Sequence, residues 1–383
     1  MRIRLTLTSF TVLFSFFLLS CSQNQYTNGE ISLADAASNH GKYFGSAVSY
    51  GALFNEKLPS ISEKYRKTAE AQCNLITPES EMKMANIWVS ETVIDYSKPD
   101  AIAGWALKNG MKMRAHTLVW HRSLPSWLVE GYKSGRYTQA DIEHLVEWYI
   151  TQLMTHYTLS YPGLIIAWDV VNEVIGPNDP TLDTAYGLRQ PGYDYERKGE
   201  DFWRLTMGDD YAEKAFIWAH EADPNAQLFY NDYHNEYFNP KGTAIYNFVT
   251  ALQDKGIPIN GIGLQCHFSL EYLTMNKEGI NFSLQSISNT IDAWIKTGLD
   301  VQITEADVAM KALQDGKQSE FYAALLEASL LKTGVSAFVT WGFTDLVSWK
   351  KDDFPLYFDS FINPKKSFFS MYDTLSSWQH MLQ

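Results

Sequence analysis

Eight short apolar stretches of β-type character, alternating with stretches of helical periodicity, limit what this chain can fold into more than any other feature. They cover residues 43–47, 73–77, 111–117, 164–171, 228–232, 262–265, 301–304 and 337–341. Over 138–157, Ile142, Leu145, Val146, Tyr149, Ile150, Leu153 and Tyr157 share one helical face. Thr138, with Asp141 three residues later, gives that helix a capping start. A helix around 211–222 stops before Pro224, which has no N–H and clashes with the preceding turn. Strands alternating with helices predict a parallel sheet, because each parallel step needs a crossover long enough to hold a helix. Eight of them predict an α/β fold of the closed (β/α)8 barrel type rather than an open doubly wound sheet. No glycine-rich phosphate loop follows an early strand, which weighs against nucleotide binding. No linker or internal repeat interrupts 33–383, so these residues are expected to form one domain.

Residues 1–20 stand outside this pattern. Arg2 and Arg4 precede an apolar run over 10–19, followed by Ser20 and Cys21. Such a run is too short for a membrane span and is charged only in front, which marks a secretion signal. Leu18-Leu19-Ser20-Cys21 resembles the bacterial lipobox, whose cysteine becomes the lipidated first residue. Residues 21–32 are then a lipidated cysteine and a polar tether. The expected location is a membrane surface outside the cytoplasm, periplasmic or at the cell surface. With Cys21 blocked, Cys73 and Cys266 are expected to be buried thiols, with a single disulfide as the alternative. No spacing suggests a metal site, and no motif implies a metal or organic cofactor.

The chain carries 31 basic and 44 acidic residues, a net charge of −13, and no basic run. Such a surface repels phosphates, so nucleic acid is excluded as a partner and a neutral substrate is favoured. A monomer is expected. The 12 Trp, 22 Tyr and 21 Phe are mostly core anchors, but aromatic faces also match the C–H faces of sugar rings.

In a parallel barrel the functional site lies at the carboxyl ends of the strands. Seven of the eight predicted ends carry Glu, Asp, His, Asn, Gln or Trp, where an apolar rim would suffice for stability. Two of these residues can do the chemistry of a glycosidic bond. One carboxyl must protonate the leaving oxygen, and the other must be ionised to attack the anomeric carbon or activate water. Glu173 ends the fourth strand and Glu305 the seventh. Asn172, beside the first, is placed to hold a sugar hydroxyl, and His267 with Asp307 can support the second by hydrogen bonds.

Thr117-Leu118-Val119-Trp120-His121 after His116, Trp168-Asp169-Val170-Val171-Asn172-Glu173 and Ile303-Thr304-Glu305-Ala306-Asp307 together resemble glycoside hydrolase family 10. Phe44-Gly45-Ser46-Ala47, Ile76-Thr77-Pro78-Glu79, Tyr230-Asn231-Asp232-Tyr233 and Trp341-Gly342-Phe343-Thr344-Asp345 fit the same pattern in the same order. The resemblance covers about residues 33–382. It implies endo-β-1,4-xylanase activity on xylan or xylo-oligosaccharides with retention of configuration, Glu173 as acid/base and Glu305 as nucleophile. It further implies that Glu79, Lys83, His116, Trp120, Asn172, Gln265, His267, Trp341 and Trp349 line the sugar sites. Glu79, Lys83, His116 and Trp120 would hold the non-reducing side nearest the cut. Trp341 would lie over the xylose ring and leave little room for a hydroxymethyl group.

The sequence departs from the family pattern at Ser80, Met84 and Ser123, where Asn, Trp and Gln are usual. A weakened site for the sugar two units upstream of the cut is expected. The polar stretch 175–209 reads as a cleft-lining loop that sets which branches are tolerated. Two other functions stay open: a retaining glycanase acting on cellulose or mixed-linkage glucan, and a non-catalytic glycan-binding lipoprotein.

Overall fold

The computed structural model describes residues 31–176, 186–275, 279–311 and 314–381. The expected leader, Cys21 and nearly all of the tether lie outside the described residues, as do residues 177–185 of the 175–209 loop. Eight parallel strands form the centre: β1 (Tyr43–Val48), β2 (Leu75–Pro78), β3 (Lys112–Trp120), β4 (Ile165–Asn172), β5 (Leu228–Asp232), β6 (Gly261–Leu264), β7 (Asp300–Ala309) and β8 (Val335–Thr340). Each pairs with its successor in the chain. Tyr43 of β1 pairs with Ala337 of β8 and closes the ring, as the alternation predicts.

β7 differs most from its predicted extent. The apolar pattern breaks at Glu305, but the strand runs on to Ala309. Its far half pairs with a short extra strand, His267–Ser269, in the register His267↔Asp307. A polar residue at the barrel mouth does not end a strand whose ladder has a partner. Glu305 therefore sits within a strand rather than at its tip.

The helix Gln139–Ser160 starts at the Thr138–Asp141 capping box and buries Ile142, Val146, Tyr149, Ile150, Leu153, Met154 and Tyr157. Each such side chain contributes about 1.5–3 kcal/mol through burial. The helix packs on its neighbour Tyr211–Ala222. Leu75, Ala337 and Val339 form one apolar cluster with Tyr43 and Ile166 against it, so strands β1, β2, β4 and β8 share it. Cys73 and Cys266 are buried and unbridged. Burial pushes the Cys73 thiol up to about 12. Among the described residues no helix is long and apolar enough to cross a membrane.

Candidate active site

The carboxyl ends of the strands open into a cleft of ≈ 710 Å³. Glu79, Lys83, His116, Trp120, Asn172, Glu173, Gln265, His267, Glu305, Trp341 and Trp349 all line it. Asp307 does not: it is fully buried behind His267.

Glu305 is held from two sides. Asn231 Nδ2 donates to its Oε1 at 2.7 Å, and His267 Nε2 lies 3.3 Å from its Oε2. The Asn231 amide is oriented in turn by the Thr304 hydroxyl, which donates to Asn231 Oδ1 at 2.7 Å. Gly263 makes this possible, because a Cβ there would meet Asn231 Oδ1 at 2.2 Å. On the other ring nitrogen, His267 Nδ1 lies 2.8 Å from Asp307 Oδ2. Asp307 also accepts from Trp349 Nε1 at 2.8 Å and from Lys350 Nζ at 3.1 Å.

The charges follow from these contacts. Burial alone would lower the His267 imidazole, but the Asp307 carboxylate, with help from Glu305, overrides it and holds His267 at about 10. Burial alone would raise Glu305, but the bond from His267, the nearby His116 and the Asn231 amide bring it down to about 2. The site thus keeps one carboxylate ionised at any ordinary pH.

Glu173 arrives from β4 with φ 58, in the left-handed region, and its N–H donates to the Asn231 carbonyl at 2.9 Å. Gln265 Nε2 donates to Glu173 Oε1 and to Asn172 Oδ1, each at 3.2 Å. Asn231 Nδ2 reaches the same Asn172 oxygen at 2.9 Å. A chain of side-chain amides therefore spans the distance between the two carboxyl groups.

The opposite wall is aromatic and cationic. Lys83 Nζ lies 5.1 Å from the Trp120 ring centre and 5.5 Å from that of Trp341. His116 meets Trp341 edge-on at 5.2 Å. Behind it, His116 Nδ1 is 2.9 Å from Asp169 Oδ2, and Asp169 Oδ1 pairs with the fully buried Arg114 at 2.5 Å. Burial pushes the Glu79 carboxyl up to about 7, against the pull of Lys83. Of the three departures from the family pattern, Met84 is buried at the start of the helix Met84–Ile87. Ser80 lines a smaller hollow beside the cleft with Glu81 and Asn86. Ser123 has φ 56, and its carbonyl accepts from the Ala85 N–H at 2.8 Å.

Some site residues escaped the sequence reading. Asn231 stood among the polar strand ends without a role. Asp169 lay inside a quoted motif, but its partner Arg114 is recognisable only from the register that sets His116 opposite Asp169. Arg189, from the 175–209 loop, lines the cleft together with Tyr195, Glu196 and Gly199. Among the described residues no cluster of His, Cys, Asp and Glu could hold a metal ion.

A cleft at the carboxyl mouth of a parallel barrel, with one carboxylate fixed in its ionised form and a second carboxyl from another strand, has the build of a barrel hydrolase of glycosidic bonds. Comparison with known proteins carries this further. The chain belongs to glycosyl hydrolase family 10, whose profile matches residues 32–374. It is 33% identical over 320 residues to endo-1,4-beta-xylanase B of Thermotoga neapolitana, covering 81% of this chain and 83% of that one. It is 33% identical over 349 residues to the beta-1,4-xylanase of Dictyoglomus thermophilum, covering 85% and 86%. The crystal structure of xylanase 10B from Thermotoga petrophila RKU-1 in complex with xylobiose superposes with a TM-score of 0.76 at 30% identity, covering 92% of this chain and 99% of that one.

Proposed function

We propose that this protein is a retaining endo-β-1,4-xylanase, with Glu173 as acid/base and Glu305 as nucleophile. The observation that carries this reading is the depressed Glu305 carboxylate, fixed by Asn231 and His267 in a cleft that Glu173 also lines. A nucleophile has to be ionised and oriented before substrate arrives, and this one is both. Glu173 protonates the glycosidic oxygen while Glu305 attacks the anomeric carbon from the opposite face. The bond to the leaving sugar breaks, and a glycosyl ester with Glu305 forms. Water then enters, Glu173 takes its proton, and the ester is cleaved with the original configuration restored. Asn172 binds a hydroxyl of the reacting sugar. Lys83 and His116, set against the rings of Trp120 and Trp341, hold the sugars on the non-reducing side. The xylobiose bound to the Thermotoga petrophila relative supports a β-1,4-xylosyl substrate.

Anomeric-proton NMR early in the hydrolysis of linear xylohexaose tests the mechanism. The β-anomer should form first and then mutarotate. Formation of the α-anomer first would mean inversion, and Glu305 could not be the nucleophile.

The leader pattern supports export and lipid attachment at Cys21. Expressed in a bacterium with its leader, the wild type should fractionate with membranes and Cys21→Ser should be soluble. Equal partitioning of the two would remove the anchor from this proposal.

A further inference from the structure

Glu173 occupies the left-handed backbone region, which a residue with a Cβ adopts only at a steric cost. Its surroundings must therefore hold it there. One contact is the Asn231 carbonyl, which accepts the Glu173 N–H. The other is Arg189, whose Nε donates to the Glu173 carbonyl at 2.8 Å. Arg189 is only 5% exposed. Its Nη2 reaches the Tyr233 hydroxyl at 3.3 Å and its Nη1 the Gly199 carbonyl at 3.5 Å, so all three nitrogens are aimed at neutral oxygens. Its own carbonyl accepts from Arg204 Nη1 at 2.8 Å.

The chain makes room for this side chain. Ile175–Gly176 pairs antiparallel with Gly187–Leu188, which sets Arg189 beside the turn carrying Glu173. A Cβ on Gly176 would meet Arg189 Cγ at 2.6 Å and Cζ at 3.0 Å, so the guanidinium lies across a position that tolerates no side chain. A desolvated cation is costly unless its donors are satisfied. Here it is satisfied by the backbone of the residue that must swing neither toward nor away from the glycosidic oxygen.

We infer that Arg189 is a positioning residue for the acid/base, clamping the Glu173 turn so that its carboxyl stays aimed at the scissile oxygen. The inference rests on the assignment of Glu173 as acid/base. Arg189 acts through Glu173 and leaves the Asn231–His267 support of Glu305 untouched. Loosening the clamp therefore harms proton transfer in both half-reactions but not nucleophilic attack. A displaced acid matters little when the leaving group is activated, and a displaced base matters little when the incoming nucleophile carries no proton.

The test compares Arg189→Met with wild type on xylan and on 2,4-dinitrophenyl β-xylobioside, with and without sodium azide. On xylan, kcat/KM should fall about 10- to 100-fold, the scale of a misaligned catalytic group. On the aryl substrate it should change by less than about threefold, because that step needs little protonation. Azide should raise kcat on the aryl substrate for Arg189→Met and not for wild type. It attacks the anomeric carbon of the glycosyl ester, the bond to Glu305 breaks, Glu305 leaves as carboxylate, and β-xylobiosyl azide accumulates. Gly176→Ala, whose methyl invades the space of Arg189 Cγ, should give the same pattern, and it carries the test if Arg189→Met does not fold. Arg189→Lys should lie between. Equal losses on both substrates without an azide effect, or no loss at all, would overturn the clamp. Glu173→Ala serves as the control. If it shows no azide rescue, the acid/base assignment itself fails; if it is rescued and the Arg189 and Gly176 variants are not, only the clamp fails.

Discussion

Trp349 donates its indole N–H to Asp307 at 2.8 Å, although the residue is 56% exposed and Asp307 is fully buried. A ring that lines the cleft is thus tied to the group that fixes His267 and, through it, Glu305. Trp349→Phe keeps a ring for sugar contact and removes the donor. Losing one bond to a charged group is worth about 1.5–3 kcal/mol at most, so kcat should fall about 10- to 100-fold, with KM changed far less. Steady-state kinetics on xylohexaose would show this. A rise in KM alone would mean that Trp349 serves only as a platform.

The two glutamates should fail differently. Glu305→Ala should abolish turnover of every glycoside while the fold, followed by circular dichroism, survives. Glu173→Gln should slow xylan hydrolysis by about 10²–10⁴-fold, the usual contribution of a general acid, and spare the first turnover of an activated aryl xylobioside. Equal losses on both substrates would remove Glu173 from the acid role.

Asp169 holds Arg114 and His116 in a fully buried cluster. Asp169→Ala leaves Arg114 charged and unpaired in the barrel, which should cost about 3–5 kcal/mol of stability. It also frees the His116 ring. Urea unfolding should show the first effect as a lower midpoint, and a raised KM for xylobiosides in the folded fraction should show the second.

Stability should depend on pH through the cluster of Glu305, His267 and Asp307. His267 is raised from 6.5 to about 10, so its contribution is complete below 6.5 and disappears as pH climbs through 10. Glu305 is depressed from 4.5 to about 2, so its contribution is complete above 4.5 and disappears as pH drops through 2. Glu79 and Glu236 oppose this: burial raises both from 4.5 to about 7, which withdraws stability as pH rises across that interval. Thermal midpoints between pH 7 and 10 should therefore decline for the wild type and stay flatter for His267→Gln. Parallel curves would show that the His267–Asp307 pair does not govern alkaline stability.

Much of this was legible in the chain because a barrel of alternating strands and helices puts its chemistry at predictable places. Glu173, His267 and Trp341 all follow strands that hydrophobic pattern alone locates. What escaped depends on which way a side chain turns and on which carbonyl it meets. Asp169 is two residues from Val171 in an apolar run, and nothing local says that it reaches across to β3. Arg189 bonds to the carbonyls of Glu173 and Gly199 as well as to the Tyr233 hydroxyl, and carbonyls look the same in every sequence. The far half of β7 was missed because its partner, His267–Ser269, is too short to recognise by pattern. The left-handed turn at Glu173 is likewise a property of the surrounding contacts, not of glutamate.

The pairing of Tyr43 with Ala337 makes the first strand wait for the last. While the chain is being synthesised, β1 has only β2 beside it, and the growing sheet carries two bare edges that invite pairing with other chains. The cleft that Glu173 and Glu305 line also takes Trp341, which follows β8, so its wall is complete only once the last strand is in place. A stop before Val335 should leave β1 and β7 without their partner and the sheet open and aggregation-prone.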